Sequence, residues 1–337
     1  MPQLLDVKNL TVGIKKEEKI FNAIENINFS IDEGEIIGLA GESGCGKTMT
    51  ALSILNLLPP GIKITEGEIT FNGQTLTSMD EKQMRSIRGG EISMIFQDIK
   101  QSLNPLMKSG EQIIEVLELK DKYEQIKSGL KVNKKSVKKQ NKSKVLEMLT
   151  LLGFEDPQKI YNAYPHQLSG GMCQRILTAI AAISDPRLLL ADEPSSSLDE
   201  ESEERILSLL MDMNRTKKTS ILIISHDLSI IQKYCSRYMI MYAGRIIEEG
   251  SAGSLYSPLH PYTKALINAI PNKEKHGQPL ENIPGKVPSI EDRITGCPFA
   301  PRCSKVQNIC TEKFPSAKIT ETGKVHCNFP FKGDSVG

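Results

Sequence analysis

Hydrophobic positions along this chain gather into short dense runs separated by longer stretches in which apolar residues recur every three or four positions. The runs Ile36–Ala40, Ile92–Phe96, Leu188–Ala191, Ser220–Ile224 and Tyr238–Tyr242 are almost continuously apolar, the pattern of strands buried on both faces. Residues 5–10, 24–31 and 68–71 add further strand signals, while Thr48–Leu58, Glu200–Asn214 and Leu228–Cys235 read as helices. Strand and helix alternate from Leu188 onward at the spacing of βαβ units, which predicts a parallel sheet. From Gly110 to about Gly153 the pattern turns helical, interrupted by a lysine-rich stretch from Lys120 to Lys144 in which Asp121 and Glu124 are the only acids. That stretch reads as a solvated insertion. The expected fold class is therefore an α/β core split by a helical insert. Beyond Gly250 the chain is rich in Pro, Gly and Cys, with one helix, Tyr262–Ile270, opened by Pro261 at a position that suits proline. This extension of roughly 80 residues is below the size at which an apolar core alone suffices, so a staple is expected.

Composition narrows the classes. With 337 residues and 39% hydrophobic content the chain can hold one large domain and a smaller one. No apolar stretch approaches the roughly 20 residues that span a bilayer, and Met1–Asp6 carries no basic segment followed by an apolar one, so neither membrane crossing nor export is expected. Lys and Arg number 42 against 41 Asp and Glu, which gives no electrostatic case for nucleic-acid binding. The lysine-rich stretch lacks interleaved aromatics, so contact with RNA or anionic lipid is the weaker reading of it.

Candidate chemistry begins at Gly41-Glu42-Ser43-Gly44-Cys45-Gly46-Lys47-Thr48, a phosphate-binding loop between a predicted strand and helix. Its glycines let consecutive N–H groups face β- and γ-phosphates, Lys47 adds a charge, and Thr48 offers a hydroxyl to Mg²⁺. Leu188–Ala191 ends in Asp192 and Glu193; at the tip of a buried strand Asp192 is placed for Mg²⁺ and Glu193 to polarise an attacking water. Gln97 and His226 also follow apolar strands, Gln97 as a further Mg²⁺ and water contact and His226 as a donor to the γ-phosphate. Leu168-Ser169-Gly170-Gly171-Met172 opens another helix and so makes a second anion site. Two such helix ends on one chain point to a nucleotide held between subunits.

In this order the motifs resemble the nucleotide-binding domain of ABC transporters over residues 35–250. They correspond to Walker A (Gly41–Thr48), the Q-loop (Gln97), the signature (Leu168–Met172), Walker B (Leu188–Asp192), the catalytic Glu193, the D-loop (Ser196-Ser197-Leu198-Asp199) and the switch His226. The resemblance implies a P-loop NTPase, RecA-like core with an antiparallel β and a helical signature subdomain, the latter about 98–184. It places the nucleotide-binding domain at 1–250 and an extension at 251–337. Phe96-Gln97-Asp98, Ser102–Pro105, Tyr164–Gln167, His260–Thr263, Gly296–Phe299 and Pro301–Cys303 narrow it to the ATP-binding subunits of oligopeptide/dipeptide importers. Met172 after Ser-Gly-Gly is similar to the D-type subunit. Departures are Ile99 where Pro is common, Cys173 where Arg is common, a longer and more basic insertion, and Phe21 as the one candidate to stack on adenine. The likeness also implies an ATPase using ATP and Mg²⁺, peripheral on the cytoplasmic side of the cell membrane. Its expected partners are an F-type paralogue, two transmembrane permease subunits and a solute-binding protein. Import of nickel or a metal chelate is the alternative cargo. A soluble ABC ATPase acting on nucleic acid or ribosomes is the remote one, since such proteins carry two nucleotide domains or long coiled-coil arms.

Seven cysteines complete the picture. Cys297, Cys303, Cys310 and Cys327 crowd the tail, and four thiolates can hold a zinc ion or a four-iron cluster. Their spacing matches neither the tight pairs of zinc ribbons nor the commonest ferredoxin run, and reduced thiols or disulfides stay open. The family resemblance implies a [4Fe–4S] cluster.

Overall fold

A computed structural model describes residues 2–98, 102–128, 134–196, 198–270, 283–292 and 295–331. Strands β1 (Gln3–Lys16), β2 (Lys19–Asp32) and β3 (Ile36–Ala40) lead to helix α1 (Lys47–Ile54), then β4 (Ile62–Phe71), β5 (Gln74–Thr75), α2 (Glu81–Ile87) and β6 (Ile92–Ile95). A helical stretch follows: α3 (Ser109–Ser128), α4 (Lys134–Leu151), α5 (Pro157–Asn162) and α6 (Gly170–Ala182). Alternation then resumes with β7 (Leu188–Asp192), α7 (Glu200–Lys217), β8 (Ser220–Ile224), α8 (Leu228–Tyr234), β9 (Arg237–Tyr242) and β10 (Arg245–Ser251). The tail contributes α9 (Pro261–Asn268), α10 (Ile309–Glu312), β11 (Lys318–Ile319) and β12 (Gly323–Val325). The chain divides into two compact units, one built mainly from Ser78–Ile223, the other from Gln3–Ile31, Ile36–Thr77 and Ile224–Gly337.

In the first unit β6 and β7 pair in parallel, Ile92 opposite Leu188 through Ile95 opposite Ala191, with β8 beside β7. Every residue of β6, β7 and β8 is buried, as their apolar runs require. Among the described residues the lysine-rich stretch lies in two helices, the end of α3 through Ser128 and the start of α4 from Lys134. Lys and Gln are good helix formers, and the polar residues take internal roles. Lys120 Nζ donates to the Ser184 carbonyl at 2.5 Å, and buried Asn141 donates to Asp121 at 2.9 Å, joining α3 to α4. Residues 129–133 of that stretch lie outside the described residues.

In the second unit an antiparallel sheet runs in the order β2-β1-β4-β5. Its β1–β4 ladder slips between Lys8 and Thr11, where Gly67 adopts φ +92 and a Cβ would sit 2.5 Å from the Lys8 and Asn9 carbonyl oxygens. Only glycine makes that approach without displacing backbone. The other strands of this unit are ordered β11-β12-β10-β9-β3. β3 and β9 are parallel, and β9 turns into β10 through Ala243 and Gly244, both at positive φ, as a two-residue hairpin needs. β12 then pairs antiparallel with β10, Glu248 opposite Val325, so the tail carries sheet as well as the expected helix. Glu248 is fully buried and binds four donors: Tyr238 Oη at 2.8 Å, Leu259 N at 3.1 Å, His260 N at 2.7 Å and Thr263 Oγ1 at 2.6 Å. Burial raises its pKa against the opposing pull of these bonds. This carboxyl fixes the chain entering α9, which begins at Pro261 with His260 as its cap: His260 Nδ1 accepts from Tyr262 N at 3.0 Å.

A phosphate loop, a carboxylate pair and a cysteine-lined cavity

The loop from Gly41 to Gly46 joins β3 to α1. Gly41 has φ +152, and a Cβ there would lie 2.2 Å from the Met241 carbonyl oxygen, which makes glycine obligatory. Gly46 enters α1 at φ +111 and no side chain caps that helix start, leaving the first N–H groups of α1 to face the loop. Ser43 and Gly44 are exposed, Glu42 and Thr48 half-buried, and Cys45 and Lys47 buried. Lys47 Nζ folds back to donate to the Gly41 carbonyl at 2.7 Å and the Glu42 carbonyl at 3.1 Å. Burial pushes the Cys45 thiol up. The uncapped start of α1 and the nearby Lys47 ammonium group are the chemistry that receives a polyphosphate. His226, in the same unit, is exposed beyond β8. Phe21 is half-buried on β2.

The first unit holds the other residues predicted for the nucleotide site. Asp192 and Glu193 are consecutive and buried at the end of β7. Glu193 has φ +50, a costly conformation for a glutamate and the kind of local strain that accompanies functional positions. It is held in place from the backbone side: Ser196 donates to the Glu193 carbonyl at 3.1 Å through its hydroxyl, and Gln174 Nε2, buried on α6, donates to the Pro194 carbonyl at 3.0 Å. At the head of α6, Ser169 accepts from Met172 N at 3.3 Å, and a Cβ on Gly170 would meet only open space, so this helix start is accessible. Gln97 is exposed just beyond β6. Asp199 caps α7, accepting from the Ser202 N–H and hydroxyl at 2.9 Å each, and that backbone bond holds its carboxyl below the usual range. Its side chain is thus committed to starting α7. Cys173, in the position read as a departure, is buried and donates to the Pro165 carbonyl at 3.6 Å. Ile99 and Ser197 lie outside the described residues.

Among the described residues no three His, Cys, Asp or Glu side chains are gathered closely enough to hold a single metal ion. Cys297, Cys303, Cys310 and Cys327 instead line one small cavity together with His260, Lys305 and Asn328. Burial pushes the Cys297 thiol up to about 12 and raises Cys303 and Cys327. His260 Nε2 is buried in this setting and accepts or donates no hydrogen bond. Burial also holds its pKa down, at about 3.

Three residues that take part in the loop's geometry were not singled out by sequence. Tyr262 Oη accepts from Glu42 N at 2.8 Å, Arg302 forks onto the Glu42 carboxylate at 2.6 and 3.0 Å, and Tyr242 Oη accepts from Arg302 at 3.2 Å. Tyr262 and Arg302 stand inside short motifs whose family likeness was legible, but nothing local marks them as partners of a loop more than 200 residues away.

Comparison with known proteins agrees with this geometry. Residues 24–196 match the family model described as ABC transporter, and residues 247–310 match the oligopeptide/dipeptide transporter C-terminal region. A probable peptide ABC transporter ATP-binding protein of Sinorhizobium fredii is 41% identical over 95% of this chain and 92% of its own length. The dipeptide transport ATP-binding protein DppD of Bacillus subtilis is 39% identical over 97% of this chain and 95% of its own length. Among solved structures, a dimeric post-hydrolysis state of the ATP-binding cassette MJ0796 bound to ADP and Pi superposes with a TM-score of 0.65 at 28% identity, covering 74% of this chain and 99% of that one. No helix among the described residues is long and apolar enough to cross a membrane. With its α/β cassette, its phosphate loop and relatives matched over nearly their whole length, the chain belongs to the ATP-binding subunits of the ABC transporter family and is an ATPase of that kind.

Proposed function

We propose that this chain binds and hydrolyses MgATP to drive import of peptides, peripherally attached on the cytoplasmic side of the membrane. The observation that carries the cargo assignment is that relatives named for peptide and dipeptide transport align over 95–97% of the chain, tail included. Residues 1–250 form the nucleotide-binding domain, with a helical subdomain at about 98–184, and 251–337 the extension. Gly41–Thr48 hold the phosphates, Thr48, Asp192 and Gln97 serve Mg²⁺, Glu193 orients the water and His226 contacts the γ-phosphate. Support for these roles is the buried, strained Glu193 beside Asp192 and the uncapped start of α1 beyond the glycine loop. Ser169, Gly170 and Gly171 head an accessible helix and act on a nucleotide held by a partner, which we assign to an F-type paralogue. Two permease subunits and a solute-binding protein complete the importer.

For the tail, four cysteine sulfurs line one cavity, a donor set that suits an iron–sulfur cluster, with zinc as the alternative. The buried Nε2 of His260 offers the cavity a further polar partner. Cys297, Cys303, Cys310 and Cys327 would hold the cluster, which would supply a covalent staple to the tail. The experiment that tests the main proposal is Glu193→Gln: ATP binding is retained while turnover falls at least about a hundredfold. Turnover within a few-fold of wild type removes Glu193 from its role.

A further inference from the structure

An acidic residue in a phosphate loop is an electrostatic liability, and the way Glu42 is handled carries an inference beyond the roles above. Its carboxylate faces Arg302, whose side chain is 4% exposed. The guanidinium spends all its donors in one place. Nη1 reaches Glu42 Oε2 at 2.6 Å and Tyr242 Oη at 3.2 Å; Nη2 reaches Glu42 Oε1 at 3.0 Å and the Ile283 carbonyl at 3.2 Å; Nε reaches the Pro284 carbonyl at 2.7 Å. The backbone of Glu42 is held as well, through its N–H to Tyr262 Oη at 2.8 Å. Tyr262 is fully buried against Tyr242 and Phe299, at ring-centroid distances of 4.5 and 5.3 Å. Tyr242 closes the last β9 position, whereas Tyr262, Phe299 and Arg302 come from the tail. Both ends of Glu42 are therefore gripped by the tail.

We propose that Arg302 is a positioning residue of the phosphate loop: it neutralises and fixes Glu42 so that the loop accepts a polyphosphate, and it makes ATP affinity depend on the tail that carries it. The forked pair is bidentate, with the Arg302 side chain buried and the Glu42 side chain 25% exposed, a geometry that makes an Arg–carboxylate pair strong and directional. Released from Arg302, the carboxylate would stand as an uncompensated negative charge on the loop that must receive a tri-anionic or tetra-anionic ligand. Cys303, the next residue, lines the cysteine cavity, and His260, two residues before Tyr262, lines the same cavity while its Nδ1 accepts from Tyr262 N. Two short covalent paths thus run from that cavity to the two holds on Glu42, side chain and backbone.

The inference rests on residues 41–48 being the triphosphate site, and the test separates the two. MgATP is titrated into the full chain by fluorescence, and ATPase KM and kcat are measured in the assembled complex. Loss of binding in Lys47→Ala checks the site itself. Arg302→Gln should weaken ATP about five- to tenfold, the order expected for one uncompensated charge near the phosphates, and raise KM with kcat within about twofold. Arg302→Lys, a point charge that cannot fork, should fall between. In the background of Glu42→Gln, where no charge needs neutralising, Arg302→Gln should change ATP affinity by less than about twofold. A merely structural Arg302 would weaken ATP equally with and without Glu42, and that result overturns the proposal. So does an unchanged affinity in Arg302→Gln when Lys47→Ala abolishes binding. If Arg302→Gln loses the tail's protease resistance, the Glu42→Gln, Arg302→Gln double variant, which carries the same tail substitution, decides the matter: ATP affinity within about twofold of Glu42→Gln upholds charge neutralisation, and a loss of about five- to tenfold there overturns it.

Discussion

Replacing Glu248 by Ala is the sharpest probe of how the tail is anchored. The carboxyl receives two hydroxyls and two backbone N–H groups. In the variant the hydroxyls of Tyr238 and Thr263 can rotate toward other acceptors or water, but the N–H groups of Leu259 and His260 are fixed by the chain entering α9. Each buried unsatisfied donor costs about 1–3 kcal/mol. Part of that loss is offset because a buried carboxyl is itself unfavourable, as the upward push on its pKa reflects. The net expectation is about 3 kcal/mol, which at about 1.4 kcal/mol per decade is roughly a hundredfold. Hydrogen exchange of the segment containing Leu259 and His260 reads this directly, as roughly hundredfold faster opening. Glu248→Gln should fall between, since its carbonyl oxygen still accepts two bonds while its NH₂ faces the remaining donors. Protection within about threefold of wild type in Glu248→Ala would refute the idea that this carboxyl anchors the segment.

Other outcomes can be checked independently. Cys235 is buried and its thiol is pushed up to about 12, so with the free thiol near 9 its thiolate fraction at pH 8 is down by about a thousandfold; alkylation should be correspondingly slow in the native protein and keep quickening above pH 9, whereas labelling at the denatured rate would contradict its burial. Ser169→Arg should impair hydrolysis at the site built on the partner's phosphate loop while ATP binding by this chain stays within about twofold; hydrolysis by an isolated monomer, independent of concentration, would rule out a shared site. Anaerobically purified protein should be brown, absorb broadly near roughly 400 nm and bleach on Cys297→Ser, Cys303→Ser, Cys310→Ser or Cys327→Ser. Colourless protein with stoichiometric zinc would transfer the tail to a zinc staple.

The buried strands were legible because burial on both faces leaves an unbroken apolar run, as at Leu188–Ala191 and Ser220–Ile224. β10 was not, because it is Arg245-Ile246-Ile247-Glu248-Glu249-Gly250-Ser251: a strand whose innermost residue is a glutamate shows no long apolar run, and its only advance sign is the Ala243-Gly244 turn. In the lysine-rich stretch net charge suggests solvation while propensity favours helix, and α3 and α4 satisfy both. Gly41–Thr48 was readable because its chemistry is consecutive in sequence. The hold of Arg302 on Glu42 spans 260 positions, and no local pattern encodes an ion pair formed only by the fold. The four cysteines were visible as a set, but their spacing carries no distance, and so could not tell a point from a cavity.

The pairing of β12 with β10 has a consequence for solubility. A strand edge with free N–H and C=O groups is a template for pairing with another chain. Without the tail, β10 would present such an edge along its seven residues, with Ile246 and Ile247 among them. With it, that flank is covered over Glu248, Glu249 and Gly250, and the outermost strand becomes the two-residue β11. Short length and an edge lysine, Lys318, are common protections against edge-to-edge growth. A nucleotide-binding core shortened to end near residue 250 should therefore be prone to self-association through β10, whatever its ability to bind ATP.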